Sequence, residues 1–325
     1  RALGADFVIE GSVRRAGDRV RITAQLIEGA NGNARWAERY DRTLDDIFAV
    51  QDDVTGHIVS ALKLQLDQRK AVTKIDPRAY DNVLRARELI GRFDERANRD
   101  ARELLTEATT LEPAYAAAAA ALALTYIREV NQLWIRDTGS ALENARHWAQ
   151  QAVDLDDQLP MALETLGYIM AWTEGLEPAL EFISKAIALD PNFADGYASL
   201  AEIQCWMGNR DESIRLVEKA MVLNPHYPVW YTSLLAFANY GNQEYEVTAE
   251  LAARCVARVP EFFGSQLALI AALGQLGRID DAHKAIANAK KHGSLRSSEE
   301  VFLSAPFSDP SEDAHFRTGL RLAGL

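Results

Sequence analysis

Cysteine is scarce in this sequence: there are two in 325 residues, Cys205 and Cys255. Both lie in apolar helical patterns and lack the paired spacing of a zinc site. We therefore expect two buried reduced thiols rather than a disulfide scaffold or a metal centre. This usage favours a reducing, cytoplasmic compartment. The sequence also contains no run of about 18 apolar residues, so we expect no membrane-spanning helix.

The apolar stretch of a signal peptide is missing as well. The first residues, Arg1 to Asp6, read like the interior of a domain, so we expect a further module upstream. The apolar content of 48% and the charged content of 25% are those of a folded protein. The length allows two domains, or one domain followed by an elongated array.

Residues arranged for catalysis are not found. The six histidines are scattered and never paired at metal-ligand spacing. The segment from Gly29 to Gly32 lacks the Lys-Ser/Thr pair of a phosphate-binding loop. Asp52-Asp53 is better explained as part of a helix than as a metal site. We expect no catalytic residue, no metal and no cofactor in this chain, and leave open whether the parent protein is an enzyme.

The net charge of −12 is unevenly distributed. Residues 1–70 carry 11 basic and 11 acidic side chains, so the remaining residues hold the whole deficit. An acidic surface opposes binding to a nucleic-acid backbone, so we expect no direct nucleic-acid binding by this part. The first part has a local arginine cluster, which we interpret as charge that protects a sheet edge, the alternative being an anionic contact surface: Arg14, Arg15, Arg19, Arg21, Arg35, Arg39 and Arg42.

The hydrophobic period changes near residue 70. Before it, apolar residues alternate around the turn Arg15-Ala16-Gly17-Asp18, which is typical of a hairpin, and a third strand is predicted from Ala34 to Asp41. From Thr43 to Leu66 the apolar spacing becomes three or four, which predicts a helix. These few elements read as the C-terminal half of an α/β domain.

Beyond Asp76-Pro77 the pattern is helical and repeats. Six successive units end at Pro113, Asp157, Pro191, Pro225, Pro260 and Ser294, with steps of about 34 residues and one insertion of ten. Small residues recur at one position of each unit, where two helices must approach closely: Ala101, Ala145, Ala179, Ser213, Thr248 and Ala282. A second column behaves in the same way: Ala108, Ala152, Ala186, Ala220, Cys255 and Ala289.

These units resemble the tetratricopeptide repeat. The first helices carry its signature as Leu122-Ala123 with Tyr126, Leu166-Gly167, Leu200-Ala201 and Leu269-Ile270. Two departures stand out, an insertion near Arg92–Arg99 in the first unit and one containing Trp134 in the second. The resemblance implies a mostly α fold, an α-α superhelix of about six helix pairs, of the kind that binds proteins or peptides.

The first part resembles the TolB-like domain of bacterial signalling proteins. The matching residues run from Glu10 to Arg15, from Val20 to Ile27, from Trp36 to Asp41 and from Asp46 to Asp52. The closing Gly319–Leu325 is similar to the tail of the same proteins. In that family the N-terminal module is either a class III adenylate cyclase domain or a winged-helix DNA-binding domain, so the resemblance implies one of these two.

The expected organisation has four parts. Residues 1–70 are the C-terminal part of a small α/β domain, 71–78 a linker, 79–296 the repeats and 297–325 a C-terminal capping helix with its tail. That helix is predicted near Ala314–Leu322, with Phe316, Leu320 and Leu322 on its apolar face.

An aromatic ladder is the predicted partner-binding site. Trp172, Trp206 and Tyr240 recur every 34 residues on first helices, which line the concave side in tetratricopeptide proteins. We expect further side chains on or near this surface: Glu164, Tyr168, Glu202 and Asn239. The ladder is either a groove that takes a peptide through aromatic anchors or packing between repeats. An acidic aromatic groove would prefer a basic or apolar segment.

The functional hypothesis is a non-catalytic protein-interaction and regulatory region of a bacterial signalling protein, similar to the C-terminal portion of an adenylate cyclase. Two alternatives remain: the sensor region of a winged-helix transcription regulator, or an oligomerisation scaffold, with a homodimer as one form. A small-molecule site between the sheet and Ile47–Leu66 is a further alternative.

Overall fold

The computed structural model describes residues 7–16, 19–28, 34–43, 75–292, 295, 306 and 308–325. The chain divides into two compact units, residues 1–74 and 75–325. Thr43, the predicted start of a helix, is instead the last residue of a strand. The rest of that predicted helix, residues 44–66, and the site proposed beside it lie outside the described residues. The four-part organisation drawn from the sequence stays a prediction.

The first unit contains three antiparallel strands in the order β1-β2-β3: β1 Phe7–Ala16, β2 Arg19–Glu28 and β3 Ala34–Thr43. The predicted strands are therefore confirmed. On one face of β2, Val20 and Ala24 are buried. On the other face, Arg21 lies opposite Asp41 and donates to it from Nε at 2.6 Å. Part of the arginine cluster is thus neutralised within the sheet.

The second unit is helical, and consecutive helices pack as six pairs followed by a final helix. The first three pairs are α1 Pro77–Ile90 with α2 Glu95–Leu111, α3 Ala116–Asn131 with α4 Thr138–Leu155, and α5 Pro160–Thr173 with α6 Leu176–Leu189. The next three are α7 Ala194–Trp206 with α8 Arg210–Leu223, α9 Val229–Gly241 with α10 Tyr245–Arg258, and α11 Phe263–Gln275 with α12 Ile279–Lys291. The last helix, α13, is Pro310–Leu322 and begins four residues before its predicted start.

Local sequence explains where several of these helices begin. Asp76, Asp94, Asp137 and Asp309 each accept a backbone N–H of the first turn of α1, α2, α4 and α13. Such caps satisfy amide groups that have no partner within the helix. Proline occupies the first helical position of α1, α5 and α13, where its missing N–H has no consequence.

The two columns of small residues lie where the sequence places them. Every member is fully buried or nearly so, with Cys255 at 1% exposed and the others at 0%. The second helix of each pair therefore packs closely against its neighbours through these positions, and the bulkier Leu105, Ile183 and Val217 fill the spaces alongside at 0% exposed. The predicted array of about six helix pairs is confirmed. None of the helices in the described ranges has the length and apolar character needed to cross a membrane.

The array closes on itself, which the repeat pattern did not predict. At the end of α3, Gln132 Oε1 accepts the backbone N–H of Phe263, the first residue of α11, at 3.2 Å. Between α1 and α2, the ring of Phe93 lies 4.5 Å from the ring of Phe262, centroid to centroid. The second repeat and the loop of the first thus contact the sixth, and the concave face lines a partly open cavity.

The closing contacts come from the two insertions that depart from the repeat. Phe93 and Leu133 both have positive φ, 55° and 54°, a conformation that bulky residues adopt at a cost. Glycine would adopt it more readily. The large side chains compensate because Phe93 is buried against Phe262 and Leu133 packs against the apolar cluster around α11.

Candidate binding cavity

The cavity lies between the first helices of the array and α13, is partly open, and has a volume of about 190 Å³. Its walls come from the first helices of the second to sixth pairs, α3, α5, α7, α9 and α11, and from α13. First helices supply the walls because they line the inner side of the curved array. The sequence-predicted site and this cavity therefore overlap.

Five of the seven predicted site residues line this cavity: Tyr168, Trp172, Glu202, Trp206 and Tyr240. Trp206 contacts both Trp172, at 5.7 Å between ring centroids, and Tyr168, at 6.0 Å. Rings of neighbouring repeats therefore pack on one another and also form the cavity wall. The two interpretations of the ladder are not exclusive in this geometry.

Tyr240 does not continue the ladder. It is 3% exposed, and its ring contacts Tyr245, His315 and Phe316 instead of Trp206. The third ring of the series, that of Tyr240, thus packs against the C-terminal helix.

Glu164 and Asn239 lie elsewhere and are not part of the cavity lining. Asn239 Nδ2 donates to the carbonyl of Leu235 in its own helix at 2.7 Å. Glu164 is 7% exposed and accepts hydrogen bonds from Ser199 Oγ at 2.5 Å and Thr165 Oγ1 at 3.3 Å. Burial raises the pKa of Glu164 to about 7.

The buried carboxyl of Glu164 makes stability depend on pH. Because its folded pKa is above the unfolded value of 4.5, its neutral form stabilises the fold fully below pH 4.5, and this contribution is lost as pH rises through about 7. We expect Glu164→Gln to reduce the fall in unfolding free energy between pH 5 and pH 8 by on the order of 2 kcal/mol. Urea denaturation at both pH values measures this. The matched change Glu177→Gln, at an exposed position, should keep the wild-type slope, and an unchanged slope in the Glu164 variant would contradict the assignment.

Arg128, which the sequence did not single out, is one of three arginines in the cavity lining. Its guanidinium carbon lies 4.0 Å from the centre of the Phe93 ring, and its Nε has no hydrogen-bond partner among the described residues. Burial lowers the pKa of Arg128 despite nearby acidic groups. Glu202 lines the same cavity, and burial raises its pKa to about 7.

Helix α13 covers the cavity and occupies the C-terminal half of the concave surface. Phe316 packs against Phe237 at 5.5 Å and Tyr240 at 5.1 Å between ring centroids. Four residues earlier, Glu312 forms an ion pair with Arg210 at the start of α8. The helix therefore contacts three repeats and does more than cap the last one.

The apolar face predicted for α13 is partly wrong. Leu320 is 1% exposed and Phe316 is partly buried, whereas Leu322 is 51% exposed. The helix lies inside the curve of the array, and close approach to α11 turns residues 319, 320 and 323 inward. Leu322 therefore faces away from the core.

The cavity lining contains one thiol, that of Cys205. Burial raises the pKa of the Cys205 thiol to about 12, so this side chain is not a thiolate nucleophile at neutral pH. Within the described ranges, no group of three or more His, Cys, Asp and Glu side chains could hold a metal ion. What the lining offers is aromatic surface with a few charged groups.

Comparison with known proteins gives one relative by sequence and several repeat proteins by structure. No family model matches the chain. It is 41% identical over 182 residues to the protein named putative adenylate cyclase 3 of Rhizobium meliloti (strain 1021), a match that covers 54% of this chain. The chain spans 31% of the length of that relative. The resemblance to an adenylate cyclase-like signalling protein is thereby confirmed.

The similar solved structures are repeat proteins with little sequence identity. A tetratricopeptide protein of Thermus thermophilus, TTC0263, is 16% identical with a TM-score of 0.47, over 60% of this chain and 98% of its own. PilF of Pseudomonas aeruginosa is 18% identical with a TM-score of 0.43, over 70% of this chain and 97% of its own. The six helix pairs follow from the contacts between consecutive helices of this chain.

Proposed function

We propose that residues 75–325 are a protein-binding, regulatory region of a signalling protein that is similar to an adenylate cyclase. The sequence match to putative adenylate cyclase 3 supports the signalling context. The cavity lining contains aromatic and charged groups that suit binding, and within the described residues no cluster of His, Cys, Asp and Glu could hold a metal ion. The aromatic and charged lining supports recognition as the role of this region.

The seating of α13 is the observation that carries this proposal. An amphipathic helix lying in a groove through an aromatic anchor is a recurrent mode of peptide recognition. Here Phe316 supplies the anchor, and Glu312, one turn earlier, pairs with Arg210. The surface therefore suits a helical segment with an aromatic residue four positions after a carboxylate.

This partner differs from the basic or apolar segment that the sequence led us to expect. The apolar part of the expectation agrees with Phe316. At α13 the local contact has the opposite sign, because Arg210 on the array meets a carboxylate, and the preference for a basic partner stays a prediction. The expectation was based on the negative net charge of the whole helical part of the chain. That sum does not show that a positive side chain, Arg210, lies at this point of the concave surface.

Binding in trans tests whether the surface recognises a helix. Gly319 on α13 approaches the array closely: a Cβ there would overlap Tyr240 Oη and lie 2.7 Å from the carbonyl oxygen of Ala271. Gly319→Ala should therefore release α13 while leaving the concave surface native. We expect a labelled peptide of residues 308–325 to bind the Gly319→Ala chain at least about tenfold more tightly than the wild-type chain, in which the site is occupied. Fluorescence anisotropy measures this.

The control is the same peptide carrying Gly319→Ala, which should bind neither chain. Equal binding of the native peptide to both chains, or no binding to a variant whose α13 exchanges its amides freely, would contradict the proposal.

The regulatory role is tested in the full parent protein. We expect deletion of residues 77–325, and also Gly319→Ala, to change its activity or its set of bound partners. If both leave activity and partners as in the wild type, the region is not regulatory.

A further inference from the structure

The central cavity has room for a molecule much larger than water. A single water needs roughly 10–15 Å³ of such volume, and the cavity has about 190 Å³. Much of its wall consists of flat rings, including Trp172, Trp206 and Phe237. A planar apolar body would contact these rings with little loss of their packing.

Two buried donors in the wall have no acceptor. Arg128 Nε and Trp172 Nε1 both lack a hydrogen-bond partner among the described residues. An unpaired buried donor is costly, and such costs mark sites where a ligand supplies the missing atom. Since both orphan atoms donate, a ligand that satisfies them must bring acceptor atoms.

Three arginines line the cavity, and within the described part of the chain Arg128 is the one that forms no ion pair. The other two are neutralised: Arg210 pairs with Glu312, and Arg317 Nε lies 2.5 Å from Asp313 Oδ2. The ring of Phe93 supports the Arg128 guanidinium from one side. A guanidinium held in this way presents its planar fork to a carboxylate.

The acidic neighbours limit the charge of the ligand. Glu202 is in the lining, and Glu164 and Asp195 also lie close enough to influence Arg128. One guanidinium beside these three carboxyl groups suits a single negative charge better than a phosphate dianion.

We propose that this cavity binds a small molecule with one carboxylate on a flat apolar body, the carboxylate meeting Arg128 and the body lying among Trp172, Trp206 and Phe237. The site goes beyond the proposed binding of a helix, because the ligand lies beneath α13 and not in its place. An effector held there would contact both the array and the helix that covers it.

A set of four indole compounds tests the ligand class. They share one ring and differ in charge: indole-3-acetate is an anion, indole-3-acetamide is neutral, tryptamine is a cation and tryptophan is a zwitterion. Isothermal titration calorimetry of the full chain at millimolar ligand should show binding of indole-3-acetate. We expect the amide to bind at least about tenfold more weakly, because it lacks the charge that pairs with Arg128. No binding by any of the four, tightest binding of tryptamine, or equal binding of acid and amide would each overturn the proposal.

Variants locate the site. Arg128→Gln should weaken binding of indole-3-acetate by about tenfold or more, and Trp172→Phe, which keeps a ring but removes the donor, by about threefold or more. The control Arg146→Gln changes an arginine of α4 that also has an unpaired buried nitrogen but lies outside the lining. Unchanged affinity in both cavity variants, with circular dichroism showing them folded, would overturn the assignment. The peptide experiment is independent, so failure here leaves the helix-binding function standing, and the converse holds.

Discussion

Phe93→Ala is expected to lower the free energy of unfolding of the helical unit by about 4 kcal/mol. Phe93 is 1% exposed, and its ring is held between Phe262 at 4.5 Å and the Arg128 guanidinium at 4.0 Å. Removing the ring leaves a cavity between the first and sixth pairs and uncovers a buried charge, and both effects destabilise. Urea denaturation followed by circular dichroism measures the change.

The same variant should also open the array. Because the contact with Phe262 joins elements far apart in the sequence, its loss should increase the radius of gyration measured by small-angle scattering. Phe193→Ala, at a partly buried phenylalanine beside Gly196, is the matched control and should leave the radius unchanged. A Phe93 variant as compact and as stable as the wild type would show that closure does not depend on this residue.

Gly274→Ala is expected to displace α13. A Cβ on Gly274 would overlap the carbonyl oxygen of Gly319 and lie 2.8 Å from the backbone nitrogen of Ala323, and backbone atoms cannot move aside locally. The helix must then leave its seat, which uncovers Leu320 and Phe316 at a cost of about 3 kcal/mol. Trypsin cleavage after Arg317 and Arg321 should therefore become much faster than in the wild type.

A second glycine of α11 provides the control. At Gly264 a Cβ would meet its nearest neighbour, Phe237, at 3.5 Å, which is ordinary contact. Gly264→Ala should keep the wild-type cleavage rate. Slow cleavage in both variants would mean that the close approach of α11 and α13 does not hold the helix in place.

The repeat architecture was predictable because the residues that determine it recur at regular intervals in the sequence. Each unit has one small residue where two helices cross, such as Ala186 or Ala220, and these residues recur in the sequence at a nearly constant spacing. These positions are 0% exposed in the structure, as close helix packing requires. The three strands were predictable for a similar reason, since alternation reflects one buried face.

Closure of the array was not predictable because no period carries it. Phe93 and Gln132 lie in insertions, where the repeat gives no expectation, and the bond from Phe263 to Gln132 joins residues 131 apart in sequence. The sequence offered only a weak indication of these contacts, namely a phenylalanine and a glutamine, Phe93 and Gln132, in segments expected to be loops. The residues that they contact, Phe262 and Phe263, come close to them only when all six helix pairs have packed.

The candidate site was predictable in part. The 34-residue step identified Trp172, Trp206 and Tyr240 on neighbouring first helices, and these residues do line one cavity. Arg128 was missed because one arginine on a helix is ordinary in sequence, and its significance comes from the ring beneath it. The helix α13 was expected, but its seat on the concave face depends on the contacts of Gly274 with Gly319, which no local pattern shows.

Hydrogen–deuterium exchange of the intact chain tests the occupied concave surface most directly. The structure predicts that the amides of α13, Pro310–Leu322, are protected to an extent comparable with those of α11, because the two helices pack against each other along the inner face. Exchange of α13 at the rate of an unstructured peptide, with α11 still protected, would contradict the account.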